Sequence, residues 1–219
     1  MAAPTFKAYS DTAEGGGSGS SSVSVNYVTP IAANDLLILF VFNNGIGTIV
    51  TPTGWTSIGS KQSFDGTSNM SAFKRKASGS ETGTVTVNRI KEPGSGVMGR
   101  QMFSFDGTDF IDVLAFATDS DSTSTIDISS ITISGTERTL LAFILNTTND
   151  PGAVTGTYTE QSIDSFDTGG FYFQASTKVN VTSAPAQTAT NGLTLWITYH
   201  IAIYNNDPVI TPTRSFIIN

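Results

Sequence analysis

The second half of this chain repeats the pattern of the first, and a repeat restricts the fold more than composition does, because one packing solution has to serve twice. Val23, Val25 and Val28 fall on Ile126, Ile128 and Ile131 at a spacing of 103 residues. Leu36-Leu37 falls on Leu140-Leu141 at 104, Trp55 on Tyr158 at 103, Phe64-Asp65 on Phe166-Asp167 at 102 and Phe105-Asp106 on Tyr204-Asn205 at 99. Five blocks keep their order while the spacing drifts with shortening loops. The chain is read as an internal repeat, 1–109 and 110–219.

Within the first repeat the pattern has the period of a strand. In Thr82-Gly83-Thr84-Val85-Thr86-Val87-Asn88 the valines point one way and the threonines the other, as a half-buried strand requires. Segments of this kind, bounded by turn residues, place strands at about 4–9, 23–28, 35–43, 54–63, 69–77, 82–90 and 98–106. The turns are marked by Asn43-Asn44-Gly45, Asp65-Gly66-Thr67, Gly94-Ser95-Gly96 and Asp106-Gly107. Serine and threonine supply 58 of 219 residues and glycine 21, a composition that disfavours helix. The run Leu36 to Phe42 is apolar over seven residues, which fits a strand buried on both faces and falls far short of the roughly 20 that span a membrane. The amino terminus, Met1 to Lys7, shows no secretory pattern.

A repeat of about 105 residues with seven strands suits two immunoglobulin-like sandwiches in tandem. Between Asp106 and Thr125, however, there is no proline hinge, only the strand-like run Phe110 to Phe116 and a polar turn. The expectation is therefore an all-β, antiparallel, jelly-roll-like β-sandwich built from two sequence-similar halves. It forms a single domain over 1–219, with the tandem arrangement as the alternative.

Asp35-Leu36-Leu37-Ile38-Leu39-Phe40, then Pro52-Thr53-Gly54-Trp55-Thr56-Ser57-Ile58-Gly59-Ser60, then Phe103-Ser104-Phe105-Asp106-Gly107-Thr108-Asp109 form a recognisable series. It resembles a family of β-sandwich proteins common in tailed-phage virion genes and in some bacterial surface proteins. The resemblance implies a sandwich that works by presenting surfaces, and it carries over no catalytic residues.

The chemistry available is narrow. With no cysteine there is no disulfide, thiol nucleophile or thiolate zinc site, and His200 is the single histidine. A net charge of -7 and a pI near 4.5 argue against nucleic acid as a partner. Asp106, Asp109, Asp112, Asp119, Asp121 and Asp127 are dense, but their spacing is not that of a helix-loop-helix calcium site, and they read as solvated turn carboxylates. No enzyme, cofactor or metal is expected.

Trp55 reads as a core residue that covers one end of the sandwich. From Leu193 to Tyr204, Leu195, Ile197, Tyr199, Ile201 and Ile203 share one strand face, and Trp196, His200 and Tyr204 the other, which packs inside or meets a partner. His200 alone reads as a hydrogen-bonded, partly buried side chain. Gly15 to Ser22 is a glycine-serine linker that would let the first strand act as an arm, carrying Phe6 and Tyr9 to a neighbouring subunit.

Charge is unevenly spread. From Lys61 to Arg100 the chain carries a net +4, and from Asp106 to Asp167 a net -10. Opposed patches of this kind steer association and fix register. The candidate contact residues are Phe6, Tyr9, Lys74, Arg75, Lys76, Trp196 and Tyr204. The function expected is that of a non-enzymatic phage virion protein, a capsid decoration or cement subunit outside the head. Its partners would be the major capsid protein or other virion proteins and further copies of itself, without membrane contact. The alternative is a tail-fibre or adsorption module that holds a host-surface glycan through Trp55, Trp196 or loop aromatics.

Overall fold

The computed structural model describes residues 2–10, 13–15, 21–45, 47–90, 96–106, 111–133, 138–147, 150–166, 170–190 and 195–205. Their regular structure is entirely β. The first repeat forms β1 (Phe6–Tyr9), β2 (Ala13–Gly15), β3 (Ser22–Asn26), β4 (Leu36–Asn44), β5 (Thr48–Ile49), β6 (Thr56–Gln62), β7 (Ser68–Lys76), β8 (Thr84–Ile90) and β9 (Met98–Phe105). The second forms β10 (Ile111–Asp121), β11 (Thr125–Ile128), β12 (Arg138–Thr147), β13 (Thr159–Phe166), β14 (Phe171–Val181), β15 (Gln187–Thr190) and β16 (Trp196–Asn205).

All named pairings are antiparallel. One large sheet has the order β1-β9-β4-β7-β6, with β2 also on β9, and the other has the order β10-β16-β12-β14-β13. Position by position, the second order is the repeat of the first. Each large sheet carries a small one on its outer face, β3-β8-β5 on the first and β11-β15 on the second.

Side-chain parity sets the layers. Along β4, Leu36, Ile38, Phe40 and Phe42 face the other large sheet and pack with Leu141, Phe143, Leu145, Phe173 and Tyr199. Leu37, Leu39 and Val41 face outward onto Val23, Val25, Val85 and Val87 of the small sheet. In the second repeat Ala142 and Ile144 face Ile126, Ile128 and Ala189 in the same way. The molecule is thus four sheets deep, and its inner strands lack alternation because both their faces are covered.

The all-β, antiparallel sandwich expected from sequence is what forms. None of the four sheets among the described residues mixes strands from both repeats. Each repeat has a core of its own between its large and small sheets, and the two large sheets share a further one between them.

Ladder register corrects two of the sequence spacings. Phe40 pairs with Ala72 where Phe143 pairs with Ala175, and Phe42 with Met70 where Leu145 pairs with Phe173. The spacing is therefore 103, and Leu140 is the counterpart of Leu37. Likewise Phe40 pairs with Gln101 where Phe143 pairs with Tyr199, so Ile203, not Tyr204, is the counterpart of Phe105. A slip of one residue exchanges the faces of a strand, yet strands apolar on both faces conceal it. Elsewhere the repeat holds in detail: a register shift falls between Ser57 and Gly59 on β6 and, 103 residues on, between Glu160 and Ser162 on β13.

The halves are related by an approximate two-fold. The rings of the counterparts Phe40 and Phe143 stack on each other with centroids 3.8 Å apart and planes 3° from parallel. The Ser162 hydroxyl donates to Gln101 Oε1 at 3.4 Å, and at the related place the Tyr199 hydroxyl donates to the Gly59 carbonyl at 3.2 Å. Tyr199 also donates to the Met70 carbonyl at 2.8 Å. Such exchanged contacts are the mark of an interface that meets its own copy.

Candidate functional site

Where the edge of each large sheet meets its neighbour, a cleft opens, and the two-fold relates the two clefts. The first, about 350 Å³, is lined by Leu36, Thr56, Lys74, Arg75, Lys76, Ile111, Asp112 and Tyr204. The second, about 400 Å³, is lined by Thr5, Phe6, Thr157, Thr159, Gln161, Thr177, Lys178 and Val179. Thr56 corresponds to Thr159, Lys74 to Thr177, Arg75 to Lys178 and Lys76 to Val179. The edge strands β10 and β1 supply Ile111 and Phe6.

In the first cleft, Lys74 and Lys76 lie opposite Ile38 and Leu36 in the ladder and so share the central face, at the end of β7 where the cleft opens. The Lys74 Nζ donates to Asp112 Oδ1 at 2.5 Å, which joins β7 of one repeat to β10 of the other. Arg75 points the other way: its Nη1 donates to the Tyr27 hydroxyl at 3.0 Å, its Nη2 lies 3.3 Å from Glu81 Oε1, and its guanidinium sits 5.9 Å above the Tyr27 ring. Burial pushes the Glu81 carboxyl up, but hydrogen bonds from Ser78 and Gly79 outweigh it and hold the group below its usual range. Tyr204 is half-buried, with the Arg138 guanidinium 5.4 Å over its ring. The corner thus gathers four cations on a net-acidic protein.

Four of the contact residues read from sequence, Lys74, Arg75, Lys76 and Tyr204, converge on this cleft. Phe6 lies in the second cleft, its ring 6.0 Å from Phe105 and 6.5 Å from Phe103. Tyr9 is 38% exposed and borders a further cleft with Tyr27 and Arg100. Both stand on β1, which is an edge strand of the chain's own sheet, pinned by the Lys7 ammonium on the buried Asp35 at 2.6 Å and by Thr139 donating to the Pro4 carbonyl. Of the linker, residues 16–20 lie outside the described residues. Sequence reasoning did not find Arg138, Tyr27 or Thr56, which reach the site from other strands and loops and carry no local signature.

Trp196, at 1% exposure, is packed against Ile126, Ile128 and Ile144 between the sheets of the second repeat. Trp55, at 6%, occupies the equivalent layer of the first. Neither indole is a surface platform. His200 is fully buried, with Nε2 2.7 Å from the Tyr158 hydroxyl and Nδ1 2.9 Å from the Ser129 carbonyl. That carbonyl fixes the proton on Nδ1 and leaves Nε2 to accept from Tyr158. Burial pulls the His200 pKa down, with the Ser129 bond opposing it, so the ring is neutral at pH 7.

Of the aspartates, Asp112 is taken up by Lys74, while Asp119 and Asp121 accept the amides of Ser120 and Ser122. Asp109 lies outside the described residues. Among the described residues no three His, Cys, Asp or Glu side chains are grouped to hold a metal. The arrangement that remains is an electrostatic one, a recess lined by Lys74, Arg75 and Lys76 in which Asp112 is paired with Lys74. No family model, curated protein or solved structure matches this chain.

Proposed function

We propose that the protein is a non-enzymatic structural component of a tailed-phage virion. It acts as a decoration or cement subunit on the outside of the head, bound to the major capsid protein or a neighbouring virion protein and to further copies of itself. One observation carries the reading: Lys74, Arg75 and Lys76 converge at one corner, while the fold is satisfied by Thr177, Lys178 and Val179 at the related corner. The related corner folds with fewer cations, and a steered, orienting contact is what a binding subunit needs. The test is to purify particles lacking the polypeptide and to add back either the wild-type protein or the variant Lys74→Glu/Lys76→Glu. Wild type should rebind at many copies per particle and raise resistance to heat, and the variant should not. Particles equally stable and complete without the polypeptide would refute the cement role.

The second cleft supports a second reading. Its threonines and Gln161 beside Phe6 offer hydroxyl and amide groups next to an aromatic face, which suits a sugar, as a tail-fibre or adsorption module would need. A few copies located at the tail, with glycan binding abolished by Phe6→Ala, would favour it over the capsid role.

A further inference from the structure

We propose that the contact of His200 with Tyr158 and Ser129 is an acid-sensitive latch, which holds the small outer sheet of the second repeat in place and releases it when His200 takes up a proton.

The two-fold supplies an internal comparison. Leu39 pairs with Met102 where Ala142 pairs with His200, so Met102 is the counterpart of His200, as Trp55 is of Tyr158. Trp55 and Met102 are buried together in the apolar layer beneath the small sheet of the first repeat. The fold is therefore satisfied there by a pair that does not titrate. In the second repeat a hydrogen-bonded pair that includes the single histidine takes the same place.

The latch reaches both strands of the small sheet. Tyr158 ends a segment tied to β15, where Val154 bridges to Ala189 and the Thr155 amide donates to the Thr188 carbonyl at 2.9 Å. Ser129 directly follows β11. From β16, His200 accepts from the Tyr158 hydroxyl and donates to the Ser129 carbonyl, at 2.7 and 2.9 Å. A sheet of two four-residue strands is marginal on its own, so its place depends on what fastens it to the large sheet.

A proton on Nε2 ends its role as acceptor and puts a charge on a side chain with no exposed surface. Neither ring nitrogen meets a carboxylate, since Tyr158 and Ser129 take both. The row of the sheet through His200 runs Ala117, His200, Ala142, Ser176 and Glu160, which places Glu160 three strands away, bonded to Gln174 at 3.1 Å. On β10, Asp119 accepts from the Ser129 hydroxyl at 3.1 Å, and Asp121 from the Ser122 amide. On β14, the Lys178 ammonium lies 6.0 Å from the Tyr158 ring and donates to the Gly156 carbonyl. The inward residues of β12 and β11, Leu140, Ala142, Ile144, Ile126 and Ile128, are apolar, and Asp127 is exposed. An imidazolium thus gains most by admitting water, which lifts the small sheet and uncovers Ile126, Ile128 and Trp196.

The experiment is hydrogen exchange read by mass spectrometry on the full chain at about pH 7.5 and about pH 5, corrected for intrinsic exchange rates. Opening of β11 and β15 should rise about tenfold in acid, within the tenfold per pH unit that one proton allows, while β3 and β8 keep their protection. Tyr158→Trp/His200→Met, which copies the first repeat, should abolish the rise. Circular dichroism shows whether that variant folds, and His200→Gln, which keeps a donor and an acceptor without titrating, replaces it if it does not. A wild type whose two small sheets loosen equally in acid, or whose second does not loosen, overturns the inference. So does a rise that persists in a folded variant lacking His200.

Discussion

Replacing Phe143 with alanine removes a ring that meets its own counterpart at the two-fold. Phe143 has no exposed surface, stacks on Phe40 at 3.8 Å, stands edge-on to Phe103 at 5.7 Å and lies against Phe173 at 5.1 Å. Truncating a buried phenylalanine costs about 3–5 kcal/mol, and the cost is higher where the surroundings cannot close over the gap. Phe40, Phe103 and Phe173 are themselves fully buried on central strands, so little collapse is open to them, and about 4 kcal/mol is expected. Against a usual stability of about 5–15 kcal/mol the variant folds with a much reduced margin. Urea unfolding should show a lower midpoint with an unchanged slope. Phe64→Ala, at a residue 65% exposed on the β6–β7 turn, is the control and should stay within about 0.5 kcal/mol. A loss for Phe143→Ala below about 2 kcal/mol would refute the packing of one repeat on the other through this ring.

Three further outcomes follow from individual contacts. Lys7→Met leaves the Asp35 carboxylate, 1% exposed, with the Ala32 amide as its remaining bonded partner, and should cost about 3 kcal/mol, of which Lys7→Met/Asp35→Asn recovers more than half in a double-mutant cycle. Tyr199→Phe removes the hydroxyl bridging to Gly59 and Met70 and should cost about 1 kcal/mol in the same urea assay. His200 has a folded pKa below its unfolded value near 6.5, so its contribution is fully present above about pH 6.5 and declines as pH falls, because the unfolded chain takes up the proton first. Wild type should therefore lose stability as pH falls below about 6.5, at no more than about 1.4 kcal/mol per pH unit, and His200→Gln should flatten that slope.

Much of the fold is legible in the sequence, for a physical reason. Strands half covered by a small sheet or by solvent announce themselves by alternation, and the expected 82–90 and 23–28 match β8 and β3 closely. The unbroken apolar run Leu36 to Phe42 located β4, but the same lack of alternation hid which residue faced which sheet. Hence the spacings of 104 and 99 each stood one residue out, and the four-layer plan did not emerge. Trp196 shows the same limit, because an aromatic beside apolar neighbours on both faces gives no sign that a second small sheet covers it. The short β2 and β5 carry too few residues to register a period. For the site, the charge run at Lys74 to Lys76 and the aromatic face ending in Tyr204 were visible separately. Their meeting in one cleft depends on the two-fold that packs one repeat on the other, which no local window contains.

The central claim is that two repeats share one core, and the two tryptophans test it directly, since Trp55 sits in the outer layer of the first repeat and Trp196 in that of the second. Trp196→Phe leaves a fluorescence reporter for the first repeat, and Trp55→Phe leaves one for the second. When Phe143→Ala is added to each, urea unfolding should move the midpoint seen by Trp55 as far as the midpoint seen by Trp196. A shift confined to Trp196, with the first repeat unfolding as before, would contradict the shared core.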